Sequence, residues 1–225
     1  MTTLATVIWN KFAQLPGSAV NGIVGIASVH AIGGLIRIIR TCRPKAVLEL
    51  GAGIGTLTYT IASALPVNTR QFYSMENEDF CLSQLPVNLS EFDGKYLLVR
   101  SLEEIPAGLL FDLIVVDGGG ELPNDMGMVD FSGRLKPGGV ILVEGGRKDQ
   151  CRRILSWYGM RPHLYCKISP WTPYIRSTVT PGKVKNKPYQ LFLFEPSLVL
   201  RFHYSLLSRV SRFWEHISWR LNPVA

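Results

Sequence analysis

Two rhythms of apolar residues alternate along this chain. Residues 4–15 place apolar side chains at a weak helical period that stops at Pro16-Gly17. Residues 19–41 predict a second helix, ending before Arg43-Pro44 because a proline ring disfavours helical backbone in the residue preceding it. Short continuous apolar runs then take over, at 46–50, 71–75, 96–99, 111–116 and 140–143, the last after the turn Lys136-Pro137-Gly138-Gly139. Between them lie helical stretches at 56–64, around 78–85 and at 148–158. Apolar runs alternating with helices predict a parallel sheet covered on both faces. Two closing runs, 163–168 and 189–194, have only a proline-rich basic loop between them and predict an antiparallel hairpin at one edge. The fold class is therefore α/β: doubly wound, mostly parallel, with an antiparallel final strand and helical extensions at both ends.

Beyond Pro196 the pattern becomes one long helix to about residue 221. At about 100° per residue, Phe202, Leu206, Leu207, Val210, Phe213, Trp214, Ile217 and Leu221 share one face. Arg201, Arg209, Arg212, His216 and Arg220 fall on the other, opposed only by Glu215. Such a helix suits packing on its own domain, a second subunit, or an anionic lipid headgroup layer. Domain boundaries follow as an amino-terminal helical extension over 1–41 on the substrate side, a central domain over 42–196, and the basic helix over 197–225.

Composition narrows the classes. The 225 residues are 47% hydrophobic and 18% charged, which excludes a wholly disordered or fibrous chain. The 24 lysines and arginines exceed 17 acids to give a net charge of +7, so an anionic partner is expected without its kind being chosen. Cys42, Cys81, Cys151 and Cys166 lack CxxC spacing and read as reduced, isolated thiols in a cytoplasmic protein. The start lacks the positive region of a signal peptide, and the apolar stretch 19–39 is interrupted by Asn21, His30, Arg37 and four glycines, so a packed or interfacial helix is expected there rather than a spanning one.

Chemistry concentrates in Glu49-Leu50-Gly51-Ala52-Gly53-Ile54-Gly55, between a strand and a helix. Glycines there permit positive φ and close approach to a ligand, and the helix N-terminus offers free N–H groups to a nucleotide or carboxylate. The spacing is GxGxG and not the GxGxxG of dinucleotide sites, which speaks against a nicotinamide enzyme. With its acidic residue two places ahead, the segment resembles the first motif of class I S-adenosylmethionine-dependent methyltransferases. Met75-Glu76, the run Phe111-Asp112-Leu113-Ile114-Val115-Val116-Asp117, and Leu135-Lys136-Pro137-Gly138-Gly139 resemble three further motifs of that family, in order. The resemblance covers about residues 25–196 and implies a Rossmann-like sheet that binds S-adenosylmethionine. It implies Glu49 near the amino end of the methionine, and Gly51, Ala52, Gly53 and Gly55 beside the methionine and ribose. Glu76 would bind the ribose hydroxyls, Ser101 and Leu102 the adenine, and Asp117 would lie next to the transferring methyl.

In layout the chain is most similar to catechol-type O-methyltransferases, which hold a divalent metal on the strand-four Asp and a later Asp-Asn pair. Here Glu144-Gly145-Gly146 stands where that pair would be, and Gly118-Gly119-Gly120 follows Asp117. Asp117 with Glu144 offers oxygen ligands to a hard cation, but the reading adopted is metal-free, with Asp117, Glu144 or His163 as base. The acceptor is expected to be a hydroxyl of a small molecule or glycan. The [N/D]-P-P-[Y/F] segment of base N-methyltransferases is absent after Asp117. Trp171, Tyr174 and Arg176 are candidate lid residues, while Lys183, Lys185, Lys187 and Tyr189 keep RNA as a less favoured partner. The remaining alternative is a non-catalytic binding protein of the same fold at a membrane surface.

Overall fold

The computed structural model describes residues 4–15, 26–67, 69, 71–118, 128–144, 148–160, 163–167 and 190–194, and residues 197–199, 202, 203, 206, 209, 210 and 213 of the carboxy-terminal segment. Helices α1 (Leu4–Ala13) and α2 (Val29–Cys42) precede β1 (Ala46–Leu50), α3 (Thr56–Ala64), β2 (Gln71–Met75), α4 (Asp79–Asn88) and β3 (Leu97–Val99). Then follow β4 (Phe111–Val116), β5 (Leu135–Glu144), α5 (Lys148–Tyr158), β6 (His163–Lys167) and β7 (Gln190–Phe194). The strands form one sheet in the order β3-β2-β1-β4-β5-β7-β6. Neighbours from β3 through β5 run parallel, and β7 runs antiparallel to both β5 and β6.

Burial on both faces explains the continuous apolar runs. Successive strand residues point to opposite faces, and the core divides accordingly. Val47, Leu113, Val115, Val140 and Leu142 pack with α1, α2 and α3, while Leu48, Leu50, Ile114, Val116, Ile141 and Val143 pack with Phe131 and Ile154 of α5. Helix α1 buries Ala5, Ile8, Trp9 and Phe12, spaced to share one face. It is fastened to α3 by Phe12 edge-on to Tyr59 and by Lys11 4.2 Å over the Tyr59 ring, and to the turn after α4 by an ion pair between Lys11 and Glu91. Both amino-terminal helices thus belong to the layer that covers the sheet. Among the described residues no helix is long and apolar enough to cross a membrane.

Three elements differ from their sequence expectation. Helix α2 starts at Val29, not at 19, because Ser28 adopts extended backbone and its hydroxyl accepts from the Ala31 amide as an N-cap, while 16–25 lie outside the described residues. Helix α4 runs through Pro86 to Asn88, whose side-chain amide donates to the Ile54 carbonyl and ties the helix end to the glycine turn. Strand β5 starts at Leu135: the residues expected to turn are an irregularity inside the strand, where pairing to β4 jumps from Phe111–Leu135 to Leu113–Val140 and Gly138 takes φ +79°.

Candidate functional site

Strand order reverses between β1, which leads outward to β2 and β3, and β4, which leads the other way to β5. At such a switch point the loops after the strands part and leave a crevice at their carboxyl ends, the place where open α/β sheets take ligands. The segments that follow β1, β2, β3 and β4 at that end are 51–55, 76–78, 100–104 and 117–118.

The turn after β1 is held by its own backbone. Gly51 and Ala52 amides both donate to the Met75 carbonyl at 3.0 and 3.1 Å, and Asp117 and Gly118 amides both donate to the Leu50 carbonyl at 2.9 Å. Two of its glycines serve the protein's own packing. A Cβ on Gly51 would lie 2.4 Å from the nitrogen and Cα of Gly118, at a φ of +89°. A Cβ on Gly55, at φ +101°, would press on the side chains of Leu85 in α4 and Leu89 just after it at 3.1–3.3 Å. Gly53 is partly exposed, and its amide donates to Glu76 Oε2 at 2.7 Å. At Gly51 and Gly55 the absence of a Cβ serves a close crossing of strand ends and of helices.

Glu76, directly after β2, is 5% exposed. Its Oε1 accepts from the Asn77 and Glu78 amides at 2.9 and 3.0 Å, and its Oε2 from Gly53. A carboxylate offers about four lone-pair directions, so these three amides leave room for one further donor on Oε2. Glu76 thus joins the turns after β1 and β2 in one hydrogen-bonded cradle.

Glu49, expected at the amino end of a ligand, has two hydroxyl partners inside the protein. It shares the face of Val47, beneath α3, and is fully buried. Its Oε2 accepts from Thr58 Oγ1 at 2.8 Å and Ser74 Oγ at 2.7 Å, while Oε1 has no hydrogen-bond partner. Burial pushes its carboxyl up to about 7, against the Ser74 and Thr58 hydrogen bonds, with the nearby Glu76 charge adding to the rise. Ser101 is the N-cap of the 3-10 turn Leu102–Glu104, where Glu104 Oε1 accepts from the Arg100 and Ser101 amides. The Leu102 side chain belongs to the core beside Val99 and Ile105, leaving its backbone at the crevice.

Asp117 and Glu144 end up on neighbouring strands. Val116 pairs with Val143, so the residues that follow them stand side by side at the carboxyl end, about 5 Å apart between backbones. Asp117 is partly exposed and Glu144 is 6% exposed. His163 is not brought there. It pairs with Leu193, and Leu193 with Leu142, so it starts β6 below the level of Glu144 and two strands beyond β5, where Lys167 occupies the crevice end of that strand.

Two residues of the resembling motifs lie at the opposite end. Asp112 Oδ2 accepts from the Lys45 and Ala46 amides, and both Asp112 oxygens meet Lys136 Nζ at 3.0 Å. Partial desolvation raises the Asp112 pKa, but the Lys136 ammonium and those amides outweigh it and hold the carboxyl below its usual value. This pair splices β1, β4 and β5 and has no part in the crevice, so the motif signal carried structural residues. Sequence reasoning also missed Thr58, Ser74 and Asn88, buried polar partners whose roles depend on contacts distant along the chain.

Cys42, Cys81 and Cys151 are in no disulfide, and burial pushes Cys81 up to about 12 and Cys151 up to about 11. Among the described residues no three His, Cys, Asp or Glu side chains cluster as a metal site. Gly119, Gly120, Gly145, Gly146, the loop residues Trp171, Tyr174 and Arg176, and the basic segment Lys183, Lys185, Lys187 and Tyr189 lie outside the described residues.

No protein-family model and no curated protein matches the chain. Solved structures do. The O-methyltransferase TomG from Streptomyces achromogenes, solved in complex with SAM, superposes with a TM-score of 0.54 at 14% identity, over 88% of this chain and 92% of its own. Precorrin-6y C5,15-methyltransferase from Geobacter metallireducens gives a TM-score of 0.52 at 17% identity, over 75% and 88%. A precorrin 8W decarboxylase from Methanobacterium thermoautotrophicum gives 0.50 at 22%, over 71% and 88%. The fold is that of the class I methyltransferases.

Proposed function

Proceeding from the class I methyltransferase fold, we propose that this protein transfers a methyl group from S-adenosylmethionine to a hydroxyl of a small molecule or glycan. The observation that carries the reading is the Glu76 cradle at the sheet's switch point. A buried carboxylate fixed by three backbone amides, with one acceptor direction left over, fits a ribose hydroxyl. The partly exposed Gly53 and the backbone of Ser101 and Leu102 border the same crevice.

S-adenosylmethionine supplies a sulfonium-bound methyl that is electrophilic toward an oxygen placed in line with it. The chain's own work is to orient and to move a proton. Asp117, at the end of β4 and partly exposed, is the group that accepts the acceptor hydroxyl's proton. Glu144 stands behind it on the adjacent strand end, as a positioning residue. His163 is left out, because the register carries it to the far edge.

Release of S-adenosylhomocysteine is the assay, with catechols, phenols and sugars as acceptors. Asp117→Asn is expected to keep its affinity for S-adenosylhomocysteine while transfer falls by about 100-fold or more, the usual worth of a general base. A wild type that methylates RNA or base amines and none of the oxygen acceptors would contradict the hydroxyl reading.

A further inference from the structure

The carboxy-terminal segment breaks the rule that large apolar side chains withdraw from water. Among the described residues twelve large hydrophobics are exposed, and six of them (Leu198, Val199, Phe202, Leu206, Val210 and Phe213) fall within sixteen positions of one segment. The other six are scattered along the chain from Leu4 to Leu155. The described positions between 198 and 213 are helical. Spaced four, four and three apart, Phe202, Leu206, Val210 and Phe213 make one stripe. They are 46–73% exposed, so the stripe meets water.

Charge selects the occupant. From 197 to 225 the chain carries four arginines (Arg201, Arg209, Arg212 and Arg220) and one acid, Glu215, a balance of +3 within a protein of +7. Arg209 is exposed and falls about 20° from Phe202 on a helical wheel, so it flanks the stripe and does not oppose it as the sequence pattern suggested. A flanking arginine reaches lipid phosphates while its neighbours sink between the chains. A second copy is a poorer fit. A two-fold contact sets the same face against itself and brings arginines toward arginines. We propose that this helix seats the protein on an anionic lipid surface, with Phe202, Leu206, Val210 and Phe213 inserted and the arginines on the headgroups. The inference stands independently of the methyl-transfer reading.

The full chain would be sedimented with vesicles of phosphatidylcholine alone and with roughly one-third phosphatidylglycerol. Partition is expected to be at least about tenfold stronger with the anionic vesicles, and to fall steeply with salt. Arg209→Glu should weaken it by about fivefold or more. The double variant Phe202→Ser, Phe213→Ser changes exposed positions only and should abolish it with thermal stability unchanged. Two results overturn the proposal. One is wild type that ignores anionic vesicles, including the case of a dimer that the double variant splits into monomers. The other is vesicle binding that survives both sets of substitutions.

Discussion

Glu49 shows what burial does to a single residue. Its carboxyl lies beneath α3 with two hydroxyl donors and, among the described residues, no cation partner, and desolvation lifts it from 4.5 to about 7. The native state therefore holds a proton that the unfolded chain has already released, over the window between those values. Stability from this group is full below about 4.5 and is lost as pH rises to about 7, by at most about 3 kcal/mol. Glu49→Gln should flatten that slope, as read by urea unfolding at several pH values between about 5 and 8. A slope that persists unchanged in the variant would mean that another group carries it. Glu49 also marks a limit of sequence reading. Its place two before Gly51 was legible, but only the alternation of β1, with Val47 on the same face, shows that its side chain turns under the sheet.

Elements were read well where the determinant is local. Helices α3 and α5 and strands β1, β2 and β4 have the bounds that periodicity and flanking glycines predict. The start of α2 was missed because Ser28 sits inside an apolar run, and a cap is visible only when the polar residue ends one. The passage of α4 through Pro86 reflects anchoring by Asn88 and Leu85, a tertiary effect stronger than the proline's local preference. The glycine turn was located by spacing, yet its strictest demand comes from another element. Gly51 crosses Gly118 so closely that Gly51→Ala forces the ends of β1 and β4 apart. That variant should lose about 2–4 kcal/mol in denaturant unfolding, whereas Gly94→Ala, also at positive φ but with open space around it, should lose less. Equal losses would show that the positive φ alone matters, and not the crossing.

At the scale of the whole molecule, the alternation of runs and helices predicts a doubly wound sheet, and the order β3-β2-β1-β4-β5-β7-β6 places its switch point between β1 and β4. What the chain alone could not show is register, since pairing joins residues far apart in sequence. Register puts Asp117 and Glu144 side by side, removes His163 to the edge, and sends Asp112 and Lys136 to the opposite end from the crevice. The fold permits several chemistries, so the central claim rests on the crevice and on Glu76. Calorimetric titration of S-adenosylhomocysteine into wild type and Glu76→Ala tests it most directly. Expected are micromolar binding by wild type and a loss of about tenfold or more in a variant that remains folded, equal to about 1.4 kcal/mol. Wild type that is folded and binds nothing, or a variant that binds equally well, would contradict the claim.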